Sequence, residues 1–263
     1  ETILKDLCIK DKNTIAIIHS RNFSSQNSFT SGMNIARGDS VVLLDGDLQD
    51  PPELIEDFYL KWKSGYDVVF GRRNKRQASV ILNFLYKLFY RIFNKLSYIN
   101  VPHDAGDFSM MDKKVYKSII SLPEKDIFIR GLRAWVGFKQ IGVNYTRPKR
   151  PFGQSTNNLF KNITWAKKGI FSFSYAPLEM ISYLAILIVF LSFLAILYYI
   201  VLFFLYPNVE RGWTTIYVLV LFLGGVQLLS ISIISEYIGK ILEETKQRPK
   251  FIIRKIFNDP RKK

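Results

Sequence analysis

The chain has 263 residues, enough for one α/β domain with a further element attached. Its single cysteine, Cys8, excludes an internal disulfide and a cysteine metal cluster. Its two histidines, His19 and His103, exclude a histidine-rich zinc site, so any metal must be held mainly by oxygens. A formal net charge of +15 points to an anionic partner: nucleic acid, a membrane surface or phosphorylated substrates.

A helix-like start leads into a short predicted strand, Ile15 to Ile18. Phe29 to Arg37 reads as a helix ended by Gly38, and Val41 to Leu44 as a buried strand. Pro52 to Ser64 reads as a helix and Asp67 to Phe70 as another strand. Strands alternating with helices predict an α/β domain with a mostly parallel sheet. Residues 77 to 99 place Ile81, Phe84, Leu85, Leu88, Phe89, Ile92, Phe93 and Leu96 on one half of a helical wheel. Lys87, Arg91 and Lys95 recur at four-residue steps on another face. The pattern suits either a helix packed on the core with a solvated basic face or one lying in a membrane interface; the apolar runs that follow favour the interface.

No charged residue occurs from Met180 to Tyr206 or from Trp213 to Ser235. Each run exceeds the ~20 residues needed to cross a bilayer. Two in succession, joined by the turn "PNVERGW", predict a transmembrane hairpin rather than two buried soluble helices. Lys161, Lys167 and Lys168 precede the first span, and nine Lys and Arg residues from Lys240 to Lys263 follow the second, whereas the turn carries only Arg211 beside Glu210. The bias puts both flanks on the cytoplasmic side of the cytoplasmic (inner) membrane. Basic residues gathered at membrane flanks, with no nucleic-acid motif, argue for a lipid bilayer and against nucleic acid as the partner.

The chemistry is concentrated in "VVLLDGDLQDPPEL", residues 41 to 54. Asp45, Asp47 and Asp50 follow directly on a buried strand, and ligands bind where the strands of α/β sheets end. Asp45 and Asp47, one residue apart, repel one another unless a cation lies between them, and hard oxygen ligands suit Mg²⁺ or Mn²⁺. The alternative reading of the segment is a polar turn capping the helix that begins near Pro51, with Asp50 as its N-cap.

"LLDGDLQDPPELI" resembles the D-x-D segment of glycosyltransferase family 2, in particular the bacterial polyprenyl-phosphate glycosyltransferases related to dolichyl-phosphate mannose synthase. "SRNFSSQNSFTSGMNIARGD", "DAGDFSMMDKKV", "FIRGLRAWVGF", "YTRPKRPFGQS", "FSFSYAPL" and "SEYIGKILEETKQRP" have counterparts in the same order, so the similarity covers essentially the whole chain.

The resemblance implies a glycosyltransferase-A-like, Rossmann-like catalytic domain with an interfacial helix and a C-terminal two-helix membrane hairpin. The domains expected are a cytoplasmic catalytic part at 1–175, lacking the family's first strands and its D-D-G-S segment, a hairpin at 176–239 and a basic tail at 240–263. The activity implied is inverting, metal-dependent transfer of a sugar from a nucleotide diphosphate sugar to a polyprenyl phosphate for cell-envelope glycosylation. Asp45 and Asp47 correspond to the metal ligands, and Gln49 to a further ligand or a helix-cap donor.

Asp107, with Asp104 as competitor, matches the base or acceptor-orienting position. A phosphate monoester is already largely dianionic near neutral pH and needs little deprotonation, which favours orientation. Arg72, Arg73, Arg130, Arg133, Arg147 and Arg150 are the candidates for binding phosphate, since arginine does so bidentately. The alternatives are a processive polysaccharide synthase, whose Q-x-x-R-W motif "RGLRAW" does not meet, and an inactive membrane-anchored scaffold. The hairpins leave homo-oligomer assembly open.

Overall fold

The structure, a computed structural model, describes residues 1–73, 99, 102, 105–148, 169–205 and 212–262. Asp104, Arg150 and nearly all of the expected interfacial helix at 77–99 lie outside the described residues; Ile99, at its end, is buried in the core.

Among the described residues the main sheet has four strands in the order β2-β4-β3-β5, formed by Ser40–Leu43, Ala105–Asp112, Val68–Arg73 and Gln140–Tyr145. β4 is antiparallel to both β2 and β3, while β3 and β5 are parallel. This corrects the expected mostly parallel sheet. β2, β3 and β5 do run the same way, but β4 returns between β2 and β3 and turns two of the three ladders antiparallel. The strand–helix alternation gave no signal for β4, which follows β3 only after a further 31 residues of sequence.

Side chains alternate across the sheet with period two. Val68, Phe70 and Met111 face one core with Met33, Val115, Tyr116, Ile119, Ile129 and Leu132, under α2 (Ser25–Ile35), α4 (Lys113–Ser121) and α5 (Ile129–Trp135). Val69, Phe108, Met110 and Tyr145 face the other with Phe58 of α3 (Leu54–Lys63). The result is a three-layer α/β/α domain. α3 carries Glu56 and Asp57 in its first turn and Lys61 and Lys63 in its last, matching the helix dipole at both ends. Asp112 caps α4 by accepting from the Lys114 N–H at 3.0 Å and also accepts from Trp62 Nε1 at 2.8 Å, which ties α4 to α3.

The first strand, β1 (Ala16–His19), follows α1 (Thr2–Lys10) and stands apart from this sheet. It pairs antiparallel with β6 (Ile253–Phe257), near the far end of the chain. Asn258 closes the joint: its Nδ2 donates to Cys8 O at 2.7 Å and Thr14 O at 2.8 Å. His19 stacks on Phe251. Part of the stretch expected to be a basic tail thus forms a strand, in which the part-buried Ile253, Ile256 and Phe257 flank Arg254 and Lys255, a pattern that a count of charges conceals.

α6 (Ala176–Leu205) and α7 (Trp213–Thr245) are both long and apolar enough to cross a membrane, and among the described residues nothing buries either apolar stretch. Val189 is 69% and Leu221 76% exposed. A core helix of a soluble domain would be covered, so these two helices are consistent with a membrane hairpin. α7 runs ten residues beyond the charge-free stretch that ends at Ser235, and this extension reaches the α/β domain.

Candidate active site

The sheet brings Asp45, Asp107 and Arg73 to one end. Leu43 of β2 lies opposite Ser109 of β4, and continuing that antiparallel register by two residues sets Asp45 level with Asp107. β3 and β5 end on the same side, with Arg73 opposite Tyr145. The turn after β2, the ends of β3 and β5 and the start of β4 thus form one cluster. A register shift between Phe70 and Arg72 on the β3–β4 ladder re-aims the arginines that follow it.

Asp45 is partly buried. Burial, and then the charges of Asp107, Asp47 and Asp50, push its carboxyl above the usual carboxylate value, with Arg147 opposing. Asp47 Oδ1 accepts from the Gln49 N–H at 3.1 Å, and Asp47 Oδ2 lies 3.8 Å from Arg147 Nη2. Leu48 between them takes a left-handed backbone, φ 56°, a strained turn for a branched residue. Gln49 reaches across to the Pro148 carbonyl at 3.4 Å.

Asp50 does not cap α3, which corrects that expectation. Glu53 occupies the N-cap position, and Asp50 is only 2% exposed. It accepts from the Tyr145 hydroxyl at 2.5 Å and pairs with Arg147 Nε at 3.3 Å. Burial, then the bond to Asp50, push the Tyr145 phenol up to about 12, and Arg73 Nε donates to the same oxygen at 3.4 Å. Gly71 makes room for this ring: a Cβ there would lie 2.7 Å from Tyr145 Cε1. Asp50 and Tyr145 thus connect the acidic turn to Arg73 and Arg147.

Asp107 is held more tightly. Arg130 donates Nε to Oδ1 at 2.9 Å and Nη2 to Oδ2 at 3.1 Å, and Gln26 Nε2 donates to Oδ2 at 3.0 Å. Burial alone would push this carboxyl up. The charge and hydrogen bonds of Arg130, the charge of Arg133 and the Gln26 bond together hold it below the usual carboxylate range.

Arg133 does not reach the surface. It is fully buried, with its guanidinium 5.0 Å from the Phe70 ring and Nη2 donating to Gly106 O at 3.3 Å. Among the described residues Nε and Nη1 have no hydrogen-bond partner, and burial pulls its pKa down to about 10. In this arrangement it acts on Asp107 as a buried charge and is closed to a phosphate. Arg72 is exposed beyond the end of the β3 core run.

Gln26 is the residue that the sequence reading missed. It is buried, and its Oε1 accepts from the Ile129 N–H at 2.9 Å while its amide holds Asp107. Its place inside "SSQNSF" was visible, but a glutamine in a helix carries no signal until its partners are known.

Chemically, the end of the sheet offers two neighbouring carboxylates with a strained electrostatic balance, a third carboxylate locked ionised, and arginines beside both. Among the described residues no group of three or more His, Cys, Asp or Glu could itself enclose a metal ion. A divalent cation here would need oxygens from a substrate as well, and the repulsion that pushes Asp45 up is what such a cation relieves, so the donor set fits Mg²⁺ or Mn²⁺.

Comparison with known proteins gives the family. Residues 1–120 match the family model described as glycosyl transferase family 2. An uncharacterized glycosyltransferase of Synechocystis sp. is 40% identical over 94% of this chain and 78% of its own length. An uncharacterized glycosyltransferase of Bacillus subtilis is 39% identical over 97% of this chain and 79% of its own length. The bactoprenol glucosyl transferase of Shigella phage SfII is 37% identical over 97% of this chain and 83% of its own length. The chain belongs to glycosyl transferase family 2 and is a glycosyltransferase, moving a sugar from a donor to an acceptor.

Proposed function

We propose that this glycosyltransferase moves a sugar from a nucleotide diphosphate sugar to a polyprenyl phosphate at the cytoplasmic face of the inner membrane. The observation that carries the reading is the joining of two features in one chain: an Asp45–Asp47 pair beside arginines at the end of the sheet, and two uncovered apolar helices following the domain. The phage relative, a bactoprenol glucosyl transferase, supplies the precedent for a lipid acceptor and for glucose.

Asp45 and Asp47 would hold Mg²⁺ or Mn²⁺, with Gln49 alongside. When bound, the cation neutralises charge on the leaving diphosphate. Arg147, Arg72 and Arg73 offset the further negative charge that an acceptor phosphate brings. The acceptor's phosphate oxygen forms a bond to the anomeric carbon as the bond to the nucleotide diphosphate breaks on the opposite face, which inverts the configuration. No proton needs removing from a dianionic phosphate. Asp107, with both oxygens already accepting hydrogen bonds, orients the sugar or acceptor rather than acting as base.

The test is transfer of label from UDP-glucose to undecaprenyl phosphate by the full chain in lipid vesicles. Label extractable with lipid, dependent on Mg²⁺ or Mn²⁺ and abolished by a chelator, is the expected result. A water-soluble labelled polymer would point to a processive synthase, and no transfer from any nucleotide diphosphate sugar would end the proposal.

A further inference from the structure

The extension of α7 beyond its apolar stretch grips the loop between α4 and α5. Glu244 Oε1 accepts from the backbone N–H of Lys125 at 2.7 Å and of Asp126 at 3.3 Å. Lys240 forms an ion pair with Asp126 and donates to Ser172 Oγ at 3.3 Å. Lys250 Nζ donates to Leu122 O at 2.9 Å. Tyr237 donates to Ser174 O at 2.9 Å, and its ring meets Phe171 edge-on at 5.1 Å.

The gripped loop leads straight into α5. Ile129 N–H is bound by Gln26, the same side chain that holds Asp107, and the next residue, Arg130, takes both Asp107 oxygens. An unbroken helix thus runs from the apolar stretch to a loop two residues short of this hydrogen-bonded group. A carboxylate accepting two backbone N–H groups makes charge-assisted bonds, stronger than neutral ones, and fixes the loop at a point where the chain has no sheet to hold it.

We propose that Glu244 is a positioning residue for the transfer reaction. By holding the Lys125 and Asp126 amides to the membrane helix, it fixes the start of α5, and through Ile129 and Arg130 the placement of Asp107. The physical route is contiguous: helix, two N–H bonds, loop, helix start, Gln26 and Arg130, carboxylate. This rests on the reading of Asp107 as part of the transfer site. The Asp45–Asp47 turn belongs to a different element, so loosening the grip should slow turnover without weakening donor binding.

The experiment compares Glu244→Ala, Glu244→Gln and Glu244→Asp with Glu243→Ala, an exposed neighbour on the same helix that controls for loss of charge. Hydrogen exchange is followed at the amides of residues 125, 126 and 129 in the full chain in lipid nanodiscs. Turnover is measured with UDP-glucose and undecaprenyl phosphate.

Glu244→Ala should raise exchange at all three amides and lower kcat roughly tenfold with the UDP-glucose KM unchanged. Glu244→Gln keeps a carbonyl acceptor without the charge and should restore both readouts in part, falling between wild type and Ala, whereas Glu244→Asp falls short of the loop and should resemble Ala, which keeps the test alive if the Ala variant does not fold. Glu243→Ala should change neither. Faster exchange at 125 and 126 with none at 129, or equal kcat in the Glu244→Ala and Glu243→Ala variants, overturns the proposal. The expected exchange differences among the variants, in a protein whose wild type transfers no sugar to the lipid, overturn the proposed function and leave the coupling standing.

Discussion

Arg130 grips both oxygens of Asp107, Nε to Oδ1 at 2.9 Å and Nη2 to Oδ2 at 3.1 Å. The pair is bidentate and mostly shielded, and Arg133 lies wholly buried beside it. Removing the carboxylate charge leaves two cations facing one another in a poorly solvated place. Asp107→Asn should therefore cost about 3 kcal/mol of stability, as expected when one partner of a buried pair is lost. Thermal unfolding of the full chain in detergent checks it, and a midpoint equal to wild type would contradict the account.

Asp45→Asn and Asp47→Asn should each lower sugar transfer at least about 100-fold, the scale seen when a preorganised electrostatic contact to developing charge is lost. Asp45→Asn should not destabilise the domain, because burial and neighbouring negative charges already disfavour its ionised form. Unfolding midpoints measured alongside the rates separate the two effects. A variant with normal transfer would remove the metal assignment from that residue.

Tyr145→Phe deletes the donor to buried Asp50 and should cost about 1–3 kcal/mol, the penalty for stranding a buried acceptor. The pH dependence follows from the raised phenol. Its contribution is fully present below the ordinary value of 10.0 and is lost as pH rises through about 12. Wild type and variant should therefore differ by a constant amount at neutral pH and converge only in strong alkali. Convergence already at pH 8 would show that the hydroxyl is not held as described.

Glu124 packs at the joint between the loop and α7. Burial, and then the charge of Glu244, push its carboxyl above the ordinary 4.5, with Lys250 opposing. A raised carboxyl contributes stability below its unfolded value, and that contribution is lost as pH rises through the folded value. At neutral pH the ionised form is therefore a burden on the fold, and Glu124→Gln should raise the unfolding midpoint there. The gain should shrink as pH falls below about 4.5, where Glu124 is protonated in both states. A midpoint lowered at pH 7 would mean that the Lys250 attraction outweighs burial.

The acidic turn and the apolar helices were legible because their spacing is local. "VVLLDGD" shows both the strand and the paired carboxylates, and the uncharged runs after Glu179 declare two long apolar helices. Helix and strand positions in the first 73 residues match the expected ones to within a few positions, since period and punctuation are properties of short windows. What failed was non-local. Asp50 reads as a cap from its position before two prolines, yet its partners are Tyr145 and Arg147, almost one hundred residues away. Arg133 reads as one more phosphate ligand, and only the packing of Phe70 and Gly106 shows it buried.

By itself the sequence determined the α/β class, the acidic turn and the two apolar helices, because burial pattern, charge and turn chemistry act between near neighbours. Only the tertiary structure decided that β4 runs backwards between β2 and β3, that β6 returns to β1, and that Gln26, Arg130 and Arg133 converge on Asp107. Those outcomes depend on which distant surfaces bury each other, and many pairings satisfy the same local pattern until a single packed core selects among them.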